Sequence, residues 1–194
     1  MKRDIILAGV GGQGILSIAA AIGMAALDSG LHLKQAEVHG MSQRGGDVSS
    51  NLRIADYEIA SDLIPFGQAD LIISVEPMES LRYLPYLSES GWLITSTKPF
   101  VNISNYPPIE ELMKEITSFE KHVALDADEL AKGLGSARSA NMVVLGAATP
   151  YLEIPAEKIR EAIRKIFSRK GDDVIKLNVD AFEAGYGFAA GQPG

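Results

Sequence analysis

Near the start of the chain, Gly9-Val10-Gly11-Gly12-Gln13-Gly14 sets glycines at the spacing G-x-G-x-x-G, between an apolar run and a helical one. Glycines at this spacing permit a tight turn, let a ligand approach the backbone and allow close helix–strand packing. The free N–H groups that open the following helix favour an anionic oxygen. Glu37, near the end of the second predicted strand, stands near the ~20-residue spacing at which an acid takes a ribose hydroxyl in dinucleotide-binding turns. It also opens a second set, Glu37-Val38-His39-Gly40-Met41-Ser42-Gln43-Arg44-Gly45-Gly46. There the Arg44 guanidinium can grip a phosphate or carboxylate in bidentate fashion, and Gly45-Gly46 can form a small concavity of N–H groups. A plainer reading stands beside each: glycines that serve only the turn and its packing, and an Arg44 that pairs with a neighbouring acid or a partner subunit.

The remaining polar residues add little independent chemistry. Asn141 precedes the apolar stretch Met142 to Leu152; it either caps that helix or faces the glycine loops across the end of the sheet. His39 is a general acid–base candidate, or simply bonds locally beside Gly40. Ser42, Ser49 and Ser50 have no histidine–acid arrangement in view. The chain has no cysteine, hence no disulfide, thiolate nucleophile or cysteine-held iron–sulfur cluster of its own. His32, His39 and His122 do not fall at metal-ligand spacings. Any redox metal must belong to a partner.

These loops need a scaffold, and its pattern is regular. Asp4 to Val10 and Leu71 to Val75 are short apolar runs of the kind buried on both faces of a parallel sheet. Leu33 to Val38, Val48 to Ile54, Trp92 to Ser96 (after a glycine turn at Gly91) and His122 to Leu125 read as further strands. Helical patterns cover Ile15 to Leu27, with Gly30 placed to end it, then Met78 to Leu84, Ile109 to Phe119, Asp126 to Lys132 and Ala140 to Tyr151. Another starts at Pro155, and a last one over Val179 to Ala190 is weakened by Gly185 and Gly187. Strands alternating with helices predict an α/β fold: a mostly parallel sheet with helices on both faces, in a Rossmann-like three-layer arrangement. One domain is expected over 1–194, with the helical part from about 140 to 194 packed on it.

The 194 residues include 46% hydrophobic and 22% charged, the balance of a globular protein with a full core. A formal charge of -7 argues against a nucleic-acid binder. Apolar runs fall short of the roughly 20 residues that span a bilayer. The start, Met1-Lys2-Arg3-Asp4, lacks a cleavable leader's pattern, so a cytoplasmic protein without a membrane partner is expected. Lys158, Arg160, Arg164, Lys165, Arg169 and Lys170 make a basic stretch that is either a solvated helix face or a docking site for phosphates or an acidic protein. Tyr83, Tyr86 and Trp92 cluster near a turn, as core or as interface.

Gly11-Gly12-Gln13-Gly14 and His39-Gly40-Met41-Ser42-Gln43-Arg44-Gly45-Gly46 together resemble the gamma subunit of 2-oxoacid:ferredoxin oxidoreductases. The stretches Gly67-Gln68-Ala69-Asp70-Leu71-Ile72, Glu76-Pro77-Met78-Glu79-Ser80-Leu81-Arg82 and Asn141-Met142-Val143-Val144-Leu145-Gly146-Ala147 agree. The histidine-to-glycine loop is most similar to the indolepyruvate type. The resemblance implies a complex that oxidatively decarboxylates an arylpyruvate with coenzyme A and ferredoxin, giving an aryl-acetyl-CoA. It places thiamine diphosphate with its magnesium, and 4Fe-4S clusters, in a large alpha subunit. This chain has no Gly-Asp-Gly followed by Asn at the spacing of a thiamine diphosphate magnesium site. It is therefore expected to bear no cofactor alone and no catalytic residue of its own. Gly9, Gly11, Gly12, Gln13, Gly14, Glu37, Arg44, Gly45, Gly46 and Asn141 would form one wall of a shared site near coenzyme A, and the isolated chain could pair with itself. Two alternatives remain: a stand-alone NAD(P)-dependent oxidoreductase, or a purely structural subunit.

Overall fold

The computed structural model describes residues 1–39 and 45–191. Its centre is strand β1 (Lys2–Val10), whose run of apolar residues is buried from Asp4 onward because both faces of the strand are covered. Helix α1 (Ile15–Leu27) follows the glycine turn, then β2 (His32–His39) and β3 (Asp47–Ala55). Next come β4 (Ala69–Ser74), α2 (Pro77–Arg82), β5 (Leu87–Ser96), α3 (Ile109–Ser118) and β6 (His122–Leu125). Helices α4 (Ala127–Gly133), α5 (Ala140–Ala148), α6 (Ala156–Phe167) and α7 (Asp172–Ala190) complete the described chain.

The six strands form one sheet in the order β2-β3-β1-β4-β5-β6. β1, β4, β5 and β6 pair in parallel, whereas β3 runs antiparallel to both β1 and β2. All strands but β3 therefore point the same way, and the sheet is mostly parallel, as the pattern predicts. Along β1, β4 and β5 successive side chains turn to opposite faces. Ile5, Leu7, Leu71, Ile73 and Ile94 join the core under α1 and α4–α7, while Ile6, Ile72 and Leu93 join the core on the face that buries Ile116 of α3.

β1 leads into a helix on one face and β4 into α2 on the other. Between the carboxyl ends of two such neighbouring strands an α/β sheet opens a crevice, the usual ligand position in this class of fold.

Three expectations are corrected. Gly91 lies inside β5 rather than in a turn: the register shifts between the Ala69–Leu87 and Leu71–Trp92 pairs, and a Cβ at Gly91 would stand 2.8 Å from the Ala69 carbonyl oxygen. The last helix begins at Asp172, not Val179, and its Gly185 is a contact point: a Cβ there would lie 1.8 Å from the Val143 oxygen of α5. The aromatic cluster divides between the two faces. Tyr83 and Tyr86 associate with each other and with Phe66, but Trp92 stacks on Tyr151 at 4.0 Å on the opposite side.

Candidate functional site

The glycine turn is built by crowding and by its own hydrogen bonds. A Cβ at Gly9 would meet the Val75 and Ile15 side chains at 2.5 and 2.7 Å, so strand and helix can approach only over a glycine. Gly12 (φ 101°) and Gly14 (φ 81°) take backbone conformations that other residues rarely adopt, and Gly14 starts α1 in the left-handed region. Gln13 closes the turn from both side chain and backbone: its Oε1 accepts from the Val10 N–H at 2.8 Å, while its backbone N–H donates to the Val10 carbonyl at 3.1 Å. Gln13 therefore holds the loop as well as lining it.

The second loop is joined to the first. The Gly11 N–H donates to the Gly46 carbonyl at 2.9 Å, and the Gly45 carbonyl accepts from Asn102 Nδ2 at 2.5 Å. Residues Gly40 to Arg44, Ser42 included, lie outside the described residues, as does the side chain of His39. Glu37 sits elsewhere. Its strand is separated from β1 by β3, with Glu37 opposite Ser50 and Ser50 opposite Leu7. That puts it two strand spacings, ~9.6 Å, from the strand that carries the turn. There it accepts from Gln35 Nε2 at 2.6 Å. A dinucleotide fingerprint needs its acid on the strand next to β1, so the NAD(P) reading loses the residue it depends on.

Asn141 faces the turn, as one of its two readings requires, and does not cap its helix, whose N-cap is Ser139. From the first turn of α5 its Nδ2 donates to the Gly14 carbonyl at 3.0 Å. The residue is 8% exposed and its Oδ1 is buried without a hydrogen-bond partner. Reversing the amide would set two carbonyl oxygens against each other, so the donor must face Gly14.

These residues border a small open cleft of about 130 Å³ at the carboxyl ends of β1, β4, β5 and β6, where Gly12, Gln13 and Asn141 meet Ser96, Asp128 and Arg138. The sequence reading missed the last three. Ser96 closes a strand that the pattern does reveal, whereas the 3-10 turn Ala137–Ser139 that carries Arg138 has no periodicity to show it.

Beside the cleft stands a group of acids. Glu76 is fully buried at the N-cap of α2, where one oxygen accepts from the Glu79 N–H at 2.8 Å. Its other oxygen takes the Phe100 N–H at 3.1 Å and the Tyr106 hydroxyl. Burial, then the bond to Glu76, pushes the Tyr106 phenol well above its ordinary range. Burial also raises the Glu79 carboxyl, although Arg82 grips it at 2.8 and 3.2 Å, while that carboxylate in turn holds Arg82 more firmly charged.

The basic stretch is largely neutralised. Arg160 pairs with Glu157 and Glu183, Arg164 with Glu157, Lys165 with Asp28 and Lys158 with Glu161. Among the described residues no three metal-ligating side chains come together, and no helix is long and apolar enough to cross a membrane.

Comparison with known proteins agrees with this architecture. The family described as pyruvate ferredoxin/flavodoxin oxidoreductase matches residues 4–188. The chain is 39% identical to the indolepyruvate oxidoreductase subunit IorB of Pyrococcus horikoshii, covering 95% of this chain and 94% of that one. A keto/oxoacid ferredoxin oxidoreductase gamma subunit from Geobacter sulfurreducens superposes with a TM-score of 0.70 at 25% identity, over 98% of this chain and 97% of the other. The 2-oxoglutarate:ferredoxin oxidoreductase of Magnetococcus marinus, solved with coenzyme A and succinyl-CoA bound, contains the same fold: TM-score 0.79, 22% identity, 99% of this chain but 32% of that one. The chain thus belongs to the pyruvate ferredoxin/flavodoxin oxidoreductase family and is one of its gamma-type subunits.

Proposed function

We propose that this chain is the non-cofactor-bearing subunit of a complex that oxidatively decarboxylates an arylpyruvate of the indolepyruvate kind. Coenzyme A would receive the aryl-acetyl group, carbon dioxide would leave, and the released electrons would pass to ferredoxin. Thiamine diphosphate, magnesium and 4Fe-4S clusters would be held by a large partner subunit, and the complex would work in the cytoplasm.

The observation that carries this reading is the welding of two loops and a helix into one wall. Gly11 to Gly46 and Asn141 to Gly14 fix the glycine turn against its neighbours, and the wall opens on the cleft that Arg138 borders. The donor set suits a phosphate-bearing co-substrate with amide groups: a guanidinium for an anionic oxygen, and hydroxyl and carboxylate acceptors for N–H groups. The chain would contribute position and charge, which act on a reaction without making bonds.

Co-expression with the large subunit tests this directly. Arg138→Ala in the assembled complex is expected to raise the KM for coenzyme A about tenfold with kcat little changed, the loss of one charge-assisted hydrogen bond. Arg44→Ala should act in the same direction. An unchanged KM for both variants would leave only a structural subunit; arylpyruvate oxidation by this chain alone would remove the subunit reading.

A further inference from the structure

The segment leaving β5 combines two properties that rarely occur together in a surface loop. Between Thr97 and Tyr106 its one charged residue is Lys98, in a chain that is 22% charged. Phe100, Val101 and Ile103 stand 43%, 69% and 43% exposed. An apolar loop with so little charge has the composition of an interface core. The segment is nonetheless pinned at four points, two by backbone N–H groups and two by side chains: Thr97 N–H to the Leu125 carbonyl at 2.9 Å, Phe100 N–H and the Tyr106 hydroxyl to buried Glu76, and Asn102 Nδ2 to the Gly45 carbonyl. The segment that carries the exposed side chains is thus anchored before any partner arrives, which reduces the ordering lost on association.

We infer that residues 97–106 form a preformed docking strap that seats in an apolar groove of the large, cofactor-bearing subunit. This rests on the subunit reading above. The strap lies beside Gly45, on the carboxyl edge of the sheet that holds the glycine turn. Exposed Leu16, in the first turn of α1, and Val38, near the end of β2, lie toward the same carboxyl edge of the sheet. In the Magnetococcus marinus enzyme this fold makes up 32% of a longer chain. There a further part of the polypeptide is attached covalently, whereas a separate subunit, as proposed above, would need a surface to hold its partner. At the opposite edge Phe66, although 69% exposed, has a ring contact of its own with Tyr86 at 4.6 Å.

The test titrates the purified large subunit with the full chain and with two variants of it. Val101→Asp is expected to weaken association about tenfold or more, as for a charge placed in an interface core. Leu63→Asp, equally exposed on the other edge, should leave association within about twofold. In the wild-type complex, amides 98–106 should exchange more slowly than in the free chain, a readout that decides the matter even if Val101→Asp fails to fold. Wild-type affinity in a folded Val101→Asp, or unchanged exchange, overturns the strap while leaving the subunit reading intact. A variant that abolishes only self-association of the isolated chain, with hetero-association unchanged, also overturns it. No association of the wild-type chain with any large subunit overturns both.

Discussion

Asn141 Nδ2 donates to the Gly14 carbonyl across 127 residues of sequence, and so ties the first turn of α5 to the glycine that starts α1. The same carbonyl accepts the Ser17 N–H at 3.0 Å, so one oxygen serves both the helix and the tether. Asn141→Asp removes the donor and sets a carboxylate against that carbonyl, a loss of about 2 kcal/mol. Asn141→Leu forfeits the same bond but also removes the unpartnered Oδ1, and should lose only about 1 kcal/mol. Urea unfolding with an unchanged m-value checks the order. The aspartate variant should recover stability as pH falls, because a protonated carboxyl can donate to Gly14 again.

The two left-handed glycines of the turn separate backbone cost from crowding. Gly12→Ala meets open space and loses only the conformational preference, about 1 kcal/mol. A Cβ at Gly14 would stand 2.5 Å from the pinned Asn141 amide as well, and Gly14→Ala should lose about 3 kcal/mol. Thermal melts would show the difference at about 2–4 °C per kcal/mol for a chain of this size.

Helix α7 offers a matching contrast. Gly185 faces the α5 backbone, where a Cβ would fall 1.8 Å from the Val143 oxygen, and a Cβ at Gly146 would in return fall 2.0 Å from the Phe182 oxygen. Gly185→Ala must push the two helices apart and should lose about 3 kcal/mol or more. Gly187, two residues on, is exposed with nothing within 4 Å. Gly187→Ala should gain about 0.5–1 kcal/mol from helix propensity. Chemical denaturation of both variants tests the glycine-to-backbone crossing.

The Tyr106–Glu76 contact predicts an alkaline weakness. The folded-state phenol titrates above its ordinary value of 10.0, because ionisation inside the fold is opposed by burial and by the Glu76 carboxylate. Its contribution is therefore fully present below pH 10 and is lost as pH rises beyond it. Tyr106→Phe should flatten that alkaline loss, and at neutral pH should quicken amide exchange around Phe100, which shares the Glu76 carboxylate. Stability curves between about pH 8 and 11 read the first effect and hydrogen exchange the second.

What was legible in the sequence was local. The nearly continuous apolar runs in Asp4 to Val10 and Leu71 to Val75 report burial on both faces, and the glycine spacing reports a strand-to-helix turn, since both depend on neighbours within a few residues. By itself the sequence also settled what the chain lacks: without cysteine it can hold no thiolate-bound cluster. It did not disclose that β3 enters antiparallel between β1 and β2 and carries Glu37 away from the turn, because alternation states which face is buried and never which strand lies beside it. Nor could it show that Asn141 bonds to Gly14, that Arg138 and Gly12 border one cleft, or that Gly185 serves a crossing rather than weakening a helix. Those are relationships between segments far apart in the chain, and only the packing of helices over the sheet brings them together.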